Sequence, residues 1–236
     1  AGLVSLWFRS GVRCMEFSGS HILTVSQFER ADVERLFAVA DAMRPYAHRE
    51  RRTRVLDGAI LGSMFFEPST RTRISFGSAF NLLGGEVRET TGFEHSAIAK
   101  GESLYDTARV LSGYSDIIVM RHPENGSVAE FAAASRVPVI NGGDGANEHP
   151  SQALLDLYTI RSELVGRDRG LDGLRIAMVG DLRYGRTVHS LSRLLSLFDS
   201  LQVSLVSPEA LGMPAEVADS LREAGHQVLE TDSLET

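Results

Sequence analysis

The regular alternation of short apolar runs with helical patterns constrains this chain more than any other feature. Residues 59–66 (AILGSMFF) form a continuous apolar run, short enough for a strand buried on both faces. Similar runs recur at 116–120, 138–140, 174–179 and 203–206, and patterns of helical period lie at 104–111, 128–134, 153–164, 187–198 and 215–224. A first amphipathic helix precedes them all. It is built on Val33, Leu36, Phe37, Ala40 and Met43, and is predicted to end at Arg44-Pro45 because proline cannot extend the helical hydrogen-bond ladder. Parallel strands cannot be joined by a tight turn and need a crossover, which a helix supplies. The fold class expected is therefore α/β, with two lobes of parallel sheet flanked by helices.

At 236 residues the chain lies between one large domain and two small ones. Pro150 opens a helix, the polar stretch 166–170 (GRDRG) follows, and a new strand begins near Leu174. The boundary is placed there, giving an N-terminal extension over residues 1–20, a first lobe over 21–150 and a second lobe over 151–236. About three strands and three helices make a thin second lobe, so it is expected to be incomplete.

Composition removes several classes of function. A formal charge of −7 does not supply the basic surface that a phosphate backbone needs, so no nucleic-acid partner is expected. No apolar run approaches the roughly 20 residues that span a bilayer, and the expectation is a cytoplasmic protein without membrane association. Cys14 has no second cysteine to pair with and no Cys or His at metal-ligand spacing, so no metal site is expected. Of the 24 basic residues 23 are arginine, and Lys100 stands alone. Either the composition is biased toward arginine, or Lys100 enters a tight anionic pocket as a compact charge.

The chemistry concentrates after the first apolar run. Glu67-Pro68-Ser69-Thr70-Arg71-Thr72-Arg73 leads into Ile74, Phe76, Ala79, Phe80 and Leu83 at helical spacing, with Gly84-Gly85 as the stop. A strand, a tight turn and a helix start place unpaired N–H groups and the positive end of the helix dipole together, which suits an anion. Ser69 or Thr70 is predicted to cap the helix. A capped helix with surface arginines would give the same pattern, but two cations at a helix start oppose the dipole unless an anion is bound. Three further segments bear on the same place. Ser96 and Lys100 lie in an aperiodic stretch, 92–102, read as a loop carrying one cation or as an exposed surface loop. Arg121 follows the strand ending at Met120, where a side chain faces the crevice used by ligands of open α/β sheets. Residues 141–149 (NGGDGANEH) read as a glycine-rich loop, and His149 and Gln152 share one face of the helix begun by Pro150. His149 alone is as readily a structural hydrogen-bonder, and Asp144 a turn residue. Residues 180–187 (GDLRYGRT) lack dinucleotide-loop spacing, and Arg186 at the next helix start suits a carboxylate.

Residues 66–73 (FEPSTRTR) resemble the carbamoyl-phosphate signature shared by aspartate and ornithine carbamoyltransferases, and 149–152 (HPSQ) resemble the H-P-[ST]-Q motif of that family. Residues 179–190 (VGDLRYGRTVHS) are similar to the aspartate branch, since ornithine enzymes usually carry asparagines after the G-D. The resemblance runs from about residue 21 to 236. It implies the carbamoyltransferase fold, with residues 21–150 as the carbamoyl-phosphate-binding domain and 151–236 as a partial aspartate-binding domain. It further implies that Ser69, Thr70, Arg71 and Thr72 hold the phosphate, helped by Ser96 and Lys100 from a neighbouring subunit of a homotrimer. Thr72, Arg121 and His149 would bond the carbamoyl oxygen, Gln152 the carbamoyl amide, and Arg186 a carboxylate of L-aspartate. Arg71, Thr72, Lys100, Arg121 and His149 would be the catalytic set. The implied reaction is attack of the aspartate α-amine on carbamoyl phosphate, yielding N-carbamoyl-L-aspartate and phosphate for pyrimidine biosynthesis, with neither metal nor organic cofactor. A regulatory or dihydroorotase-like chain is the partner such a trimer would take. The family's chain continues beyond the position of Thr236 through further aspartate-gripping loops, and many relatives carry a lysine where Ala99 stands. A carbamoyltransferase-fold protein acting only as a structural partner is the alternative this raises.

Overall fold

The computed structural model describes residues 15–90, 101–167 and 169–234. After a 3-10 turn at Val25–Gln27, helix α1 (Arg30–Ala47) precedes a first sheet made of β1 (Ile60–Phe65), β2 (Glu86–Thr90), β3 (Ile117–His122) and β4 (Val139–Asp144). Helices α2 (Arg71–Leu82), α3 (Leu104–Leu111) and α4 (Ser127–Ala134) connect these strands. Helix α5 (Pro150–Val165) then leads to a second sheet of β5 (Arg175–Val179), β6 (Gln202–Val206) and β7 (Gln227–Thr231), crossed by α6 (Arg186–Leu195) and α7 (Ala215–Glu223). The strand orders are β2-β1-β3-β4 and β5-β6-β7, with every neighbouring pair parallel. This is the α/β architecture of parallel sheets flanked by helices that the alternation predicts.

The first sheet is covered on both faces, which explains its continuous apolar strands. Met64, Ile118 and Met120 pack against Ala108 of α3 and Val128, Phe131 and Ala132 of α4. Leu61, Phe65 and Val119 face the other way, toward Phe76 and Phe80 of α2. A third and larger core joins Val33 and Phe37 of α1, Ala153 and Leu157 of α5 and the helices of the second sheet. α5 thus packs at the junction of the two sheets, and its first turn inherits a fixed position.

Three local expectations are corrected, and two strands appear that no apolar run marks. α1 runs past Pro45, because a proline in the last turn removes only one backbone bond; the helix stops where Arg49 takes a φ of 64°. β2 and β7 carry no continuous apolar run, since each is an edge strand whose valine, Val87 or Val228, is only half buried. β4 continues through Asn141-Gly142-Gly143-Asp144, read above as a loop, because Met120 and His122 of β3 pair with Asn141 and Asp144. The helix expected at 187–198 instead closes at Leu195. Among the described residues no helix is long and apolar enough to cross a membrane.

Candidate functional site

A parallel sheet puts all its strand ends of one kind on one edge. Here the carboxyl ends of β1, β3 and β4 meet the starts of α2 and α5, and the start of α6 approaches from the second sheet. Between them opens a cleft of about 850 Å³. Its walls include Ser69, Thr70, Arg71, Thr72, Arg121, His149, Gln152 and Arg186, so eight of the ten residues expected from sequence converge. Ser96 and Lys100 lie outside the described residues. Pro68, Ser75, Phe76, Ser151 and Thr187 complete much of the wall without having been singled out.

The start of α2 departs from the expected cap. Thr70 occupies the cap position but has helical backbone angles, and its hydroxyl accepts no hydrogen bond from the first turn. Ser69 does not replace it. The turn contains no acidic residue, so nothing on it offsets the positive end of the helix dipole or the charges of Arg71 and Arg73. A terminus left uncapped in this way is suited to an anion.

Arg121 and Arg186 approach from different sheets and meet at one carboxylate. Glu67 Oε1 accepts from Arg121 Nε at 2.5 Å and from Arg186 Nη2 at 3.3 Å. Arg121 also donates from Nη1 to Gly142 O at 3.5 Å, and Arg186 from Nη1 to Gly145 O. With only 14% and 18% of their side chains exposed, both guanidiniums are held before any ligand arrives. Sequence reasoning passed over Glu67, because a carboxylate inside an anion site becomes sensible only once the two distant arginines are seen to share it. Gly143 is the second residue it missed. Its φ is +119°, and a Cβ there would lie 3.4 Å from both Arg186 Cζ and His149 Cδ2. A Cβ would fit at ordinary contact distance, so it is the positive φ that favours glycine here.

His149 is 4% exposed. Burial, reinforced by the positive charges of Arg121 and Arg186, lowers its pKa to about 4. The ring is therefore neutral near neutral pH, and donates a hydrogen bond without adding a third cation. Ser151 Oγ lies 3.3 Å from Nδ1; a hydroxyl donating there leaves the proton on Nε2. The backbone behind the ring is also fixed: His149 N–H donates to Ser190 Oγ at 3.3 Å, and that hydroxyl donates to Glu148 Oε2 at 2.6 Å. Glu148 takes further bonds from Arg193 Nη1 at 2.7 Å and Thr24 Oγ1 at 2.9 Å. This buried carboxylate ties the N-terminal segment and α6 to the loop carrying His149. Asp144 accepts from Gly126 N, Glu148 N and the amides of Asn141 and Asn147 at 2.9–3.2 Å, so it is a turn scaffold. Gln152 Nε2 donates to Asp156 Oδ1 at 2.8 Å. No three His, Cys, Asp or Glu side chains cluster as metal ligands among the described residues.

The arrangement offers fixed cations, hydroxyls and N–H donors around one cleft, which suits a phosphate and a developing oxyanion. Comparison with known proteins agrees. Residues 20–162 match the family described as aspartate/ornithine carbamoyltransferase, carbamoyl-P binding domain. The chain is 78% identical over 214 residues to the aspartate carbamoyltransferase catalytic subunit of Saccharophagus degradans, covering 91% of this chain and 64% of that protein. It is 69% identical to the corresponding subunit of Cellvibrio japonicus, covering 94% and 66%. Among solved structures, the catalytic subunit of Methanocaldococcus jannaschii aspartate transcarbamoylase superposes with a TM-score of 0.85 at 45% identity, over 92% of this chain and 69% of that one. The Trypanosoma cruzi aspartate transcarbamoylase in complex with carbamoyl phosphate and aspartate gives 0.84 at 43%, over 92% and 67%. The chain thus spans slightly less than two thirds of the length of the first two relatives.

Proposed function

The chain belongs to the aspartate/ornithine carbamoyltransferase family, and from that premise we propose that its protein transfers the carbamoyl group of carbamoyl phosphate to the α-amine of L-aspartate. One observation carries the reading: eight expected residues, three of them arginines, share a single cleft with an uncapped helix start. Residues 21–150 form the carbamoyl-phosphate domain and 151–236 part of the aspartate domain. The phosphate sits on the N–H groups and hydroxyls of Ser69, Thr70 and Thr72, with Arg71 closing over it. Thr72, Arg121 and neutral His149 bond the carbamoyl oxygen, and Gln152 bonds the amide.

As the amine attacks, charge moves onto that oxygen, and donors already in place stabilise it without reorganising. His149 serves as a donor rather than a base, a role supported by its depressed pKa. The departing phosphate accepts the amine proton, leaving N-carbamoyl-L-aspartate. Arg186 holds a carboxylate of aspartate once that substrate draws it from Glu67. The active unit is a homotrimer in which Ser96 and Lys100 complete a neighbour's site, working in the cytoplasm, with a regulatory or dihydroorotase-like chain as its natural partner. The test is formation of carbamoyl aspartate by the purified full-length protein from carbamoyl phosphate and L-aspartate. Product with aspartate and none with ornithine is expected; no product with either would overturn the reading in favour of a structural partner.

A further inference from the structure

Gln152 enters the cleft wall from the first turn of α5, and one helical turn later stands Asp156. Asp156 Oδ1 accepts from Gln152 Nε2 at 2.8 Å, and among the described residues Gln152 is its one hydrogen-bond partner. As a helix-surface pair at i, i+4 the contact contributes little to stability. Its consequence for the amide is larger. An ionised carboxylate has no proton to give, so it accepts only from the –NH2 end and leaves Oε1 of Gln152 for the cleft. Burial holds the Asp156 carboxyl above its ordinary value, and the Gln152 N–H, by favouring the ionised form, offsets part of that rise.

The rest of the wall is dominated by donors. Arg71, Arg121 and Arg186 are cations and Ser69 and Thr72 bring hydroxyls, while Glu67, whose Oε1 is shared between two of these guanidiniums, does not line the cleft. A ligand group that itself donates must find an acceptor here, and Gln152 Oε1 is placed to be one. We propose that Asp156 is a positioning residue that locks the Gln152 carbonyl oxygen toward the ligand, and so selects acyl phosphates bearing an –NH2 group over those bearing a methyl group. The proposal rests on the carbamoyl phosphate reading of this cleft. With the amide reversed, N–H would meet N–H and neither would be paired. With a methyl ligand, Oε1 would be desolvated without a partner.

The test is equilibrium binding to the full-length protein, which needs no turnover. Phosphonoacetamide and acetonylphosphonate are stable probes that differ in –NH2 against –CH3, and inorganic phosphate reports the anion end alone. The wild type is expected to prefer the amide by at least about tenfold. Asp156→Asn offers its own –NH2 to Gln152 Oε1 and allows the amide to turn; the preference should fall to about threefold or less, with phosphate affinity unchanged within about twofold. Asp156→Glu keeps an acceptor and should retain most of the preference. The proposal is overturned if the wild type shows no preference, if Asp156→Asn keeps the wild-type ratio, or if all three probes weaken in parallel, as a merely structural role would require. Failure of the wild type to make carbamoyl aspartate would overturn the proposed reaction while leaving this binding ratio readable.

Discussion

Replacing His149 with asparagine isolates one titration from all the others in the chain. In the fold the imidazole is held to a pKa of about 4, against 6.5 ordinarily, first by burial and then by Arg121 and Arg186. Between these values the unfolded chain binds a proton that the folded chain refuses. Stability must therefore rise with pH across this window, and be lost as pH falls through it. Integrating from about pH 7.5 down to about pH 5 gives a loss of about 2 kcal/mol, with a ceiling of about 3.4 kcal/mol at still lower pH. The substitution also has a fixed cost, from the lost contact with Ser151 and from changed packing, but that part does not vary with pH. Urea unfolding of both proteins at a series of pH values yields the difference directly. The stability of wild type relative to His149→Asn should fall by about 2 kcal/mol between the two ends of the range. A difference constant within about 0.5 kcal/mol would mean that the imidazole titrates near its ordinary value, and the account of a ring kept neutral by burial and two arginines would be wrong.

The remaining outcomes test the scaffold and the anion site. Arg71→Ala should weaken inorganic phosphate binding by about 10- to 100-fold through loss of a charge-assisted bond, read by calorimetry; unchanged affinity removes Arg71 from the site. Gly143→Ala should cost about 1–3 kcal/mol because φ is +119° there, lowering the melting temperature by several degrees. Glu148→Ala leaves buried Ser190 without its acceptor and removes a partner from Thr24 and from Arg193, which is one third exposed, and should cost about 1–3 kcal/mol in urea unfolding. Mixing inactive Lys100→Ala and His149→Ala proteins should regenerate carbamoyl transfer if sites are shared between subunits, and no recovery after demonstrated subunit exchange would show self-contained sites.

What could be read from the sequence depends on how local the cause is. β1 and β3 announce themselves because helices cover both faces and nearly every position is apolar. β2 (EVRET) and β7 (QVLET) do not, because each has a neighbour on one side only and exposes most of its side chains. Asn141-Gly142-Gly143 has loop composition and strand geometry, since pairing with β3 outweighs weak propensity. The strand, turn and helix start proposed as the anion cradle were legible in one place because they are contiguous. Its missing cap was not, because Thr70 is a good capping residue whose backbone took helical angles instead.

Glu67 shows where local reading ends and why the site works. It stands 54 positions from Arg121 and 119 from Arg186, so nothing near it in the sequence explains a carboxylate beside an anion cradle. In the fold it keeps two buried guanidiniums together that would otherwise repel, and it does so with one oxygen. Their combined field then adds to burial at His149, whose ring is held neutral. An arriving dianion enters this field with the opposite sign. It would ease the repulsion between the arginines while meeting donors that are already oriented. Much of the electrostatic cost of gathering these cations has thus been met in folding rather than at the moment of binding, which is the condition under which fixed charges stabilise a transition state better than water does.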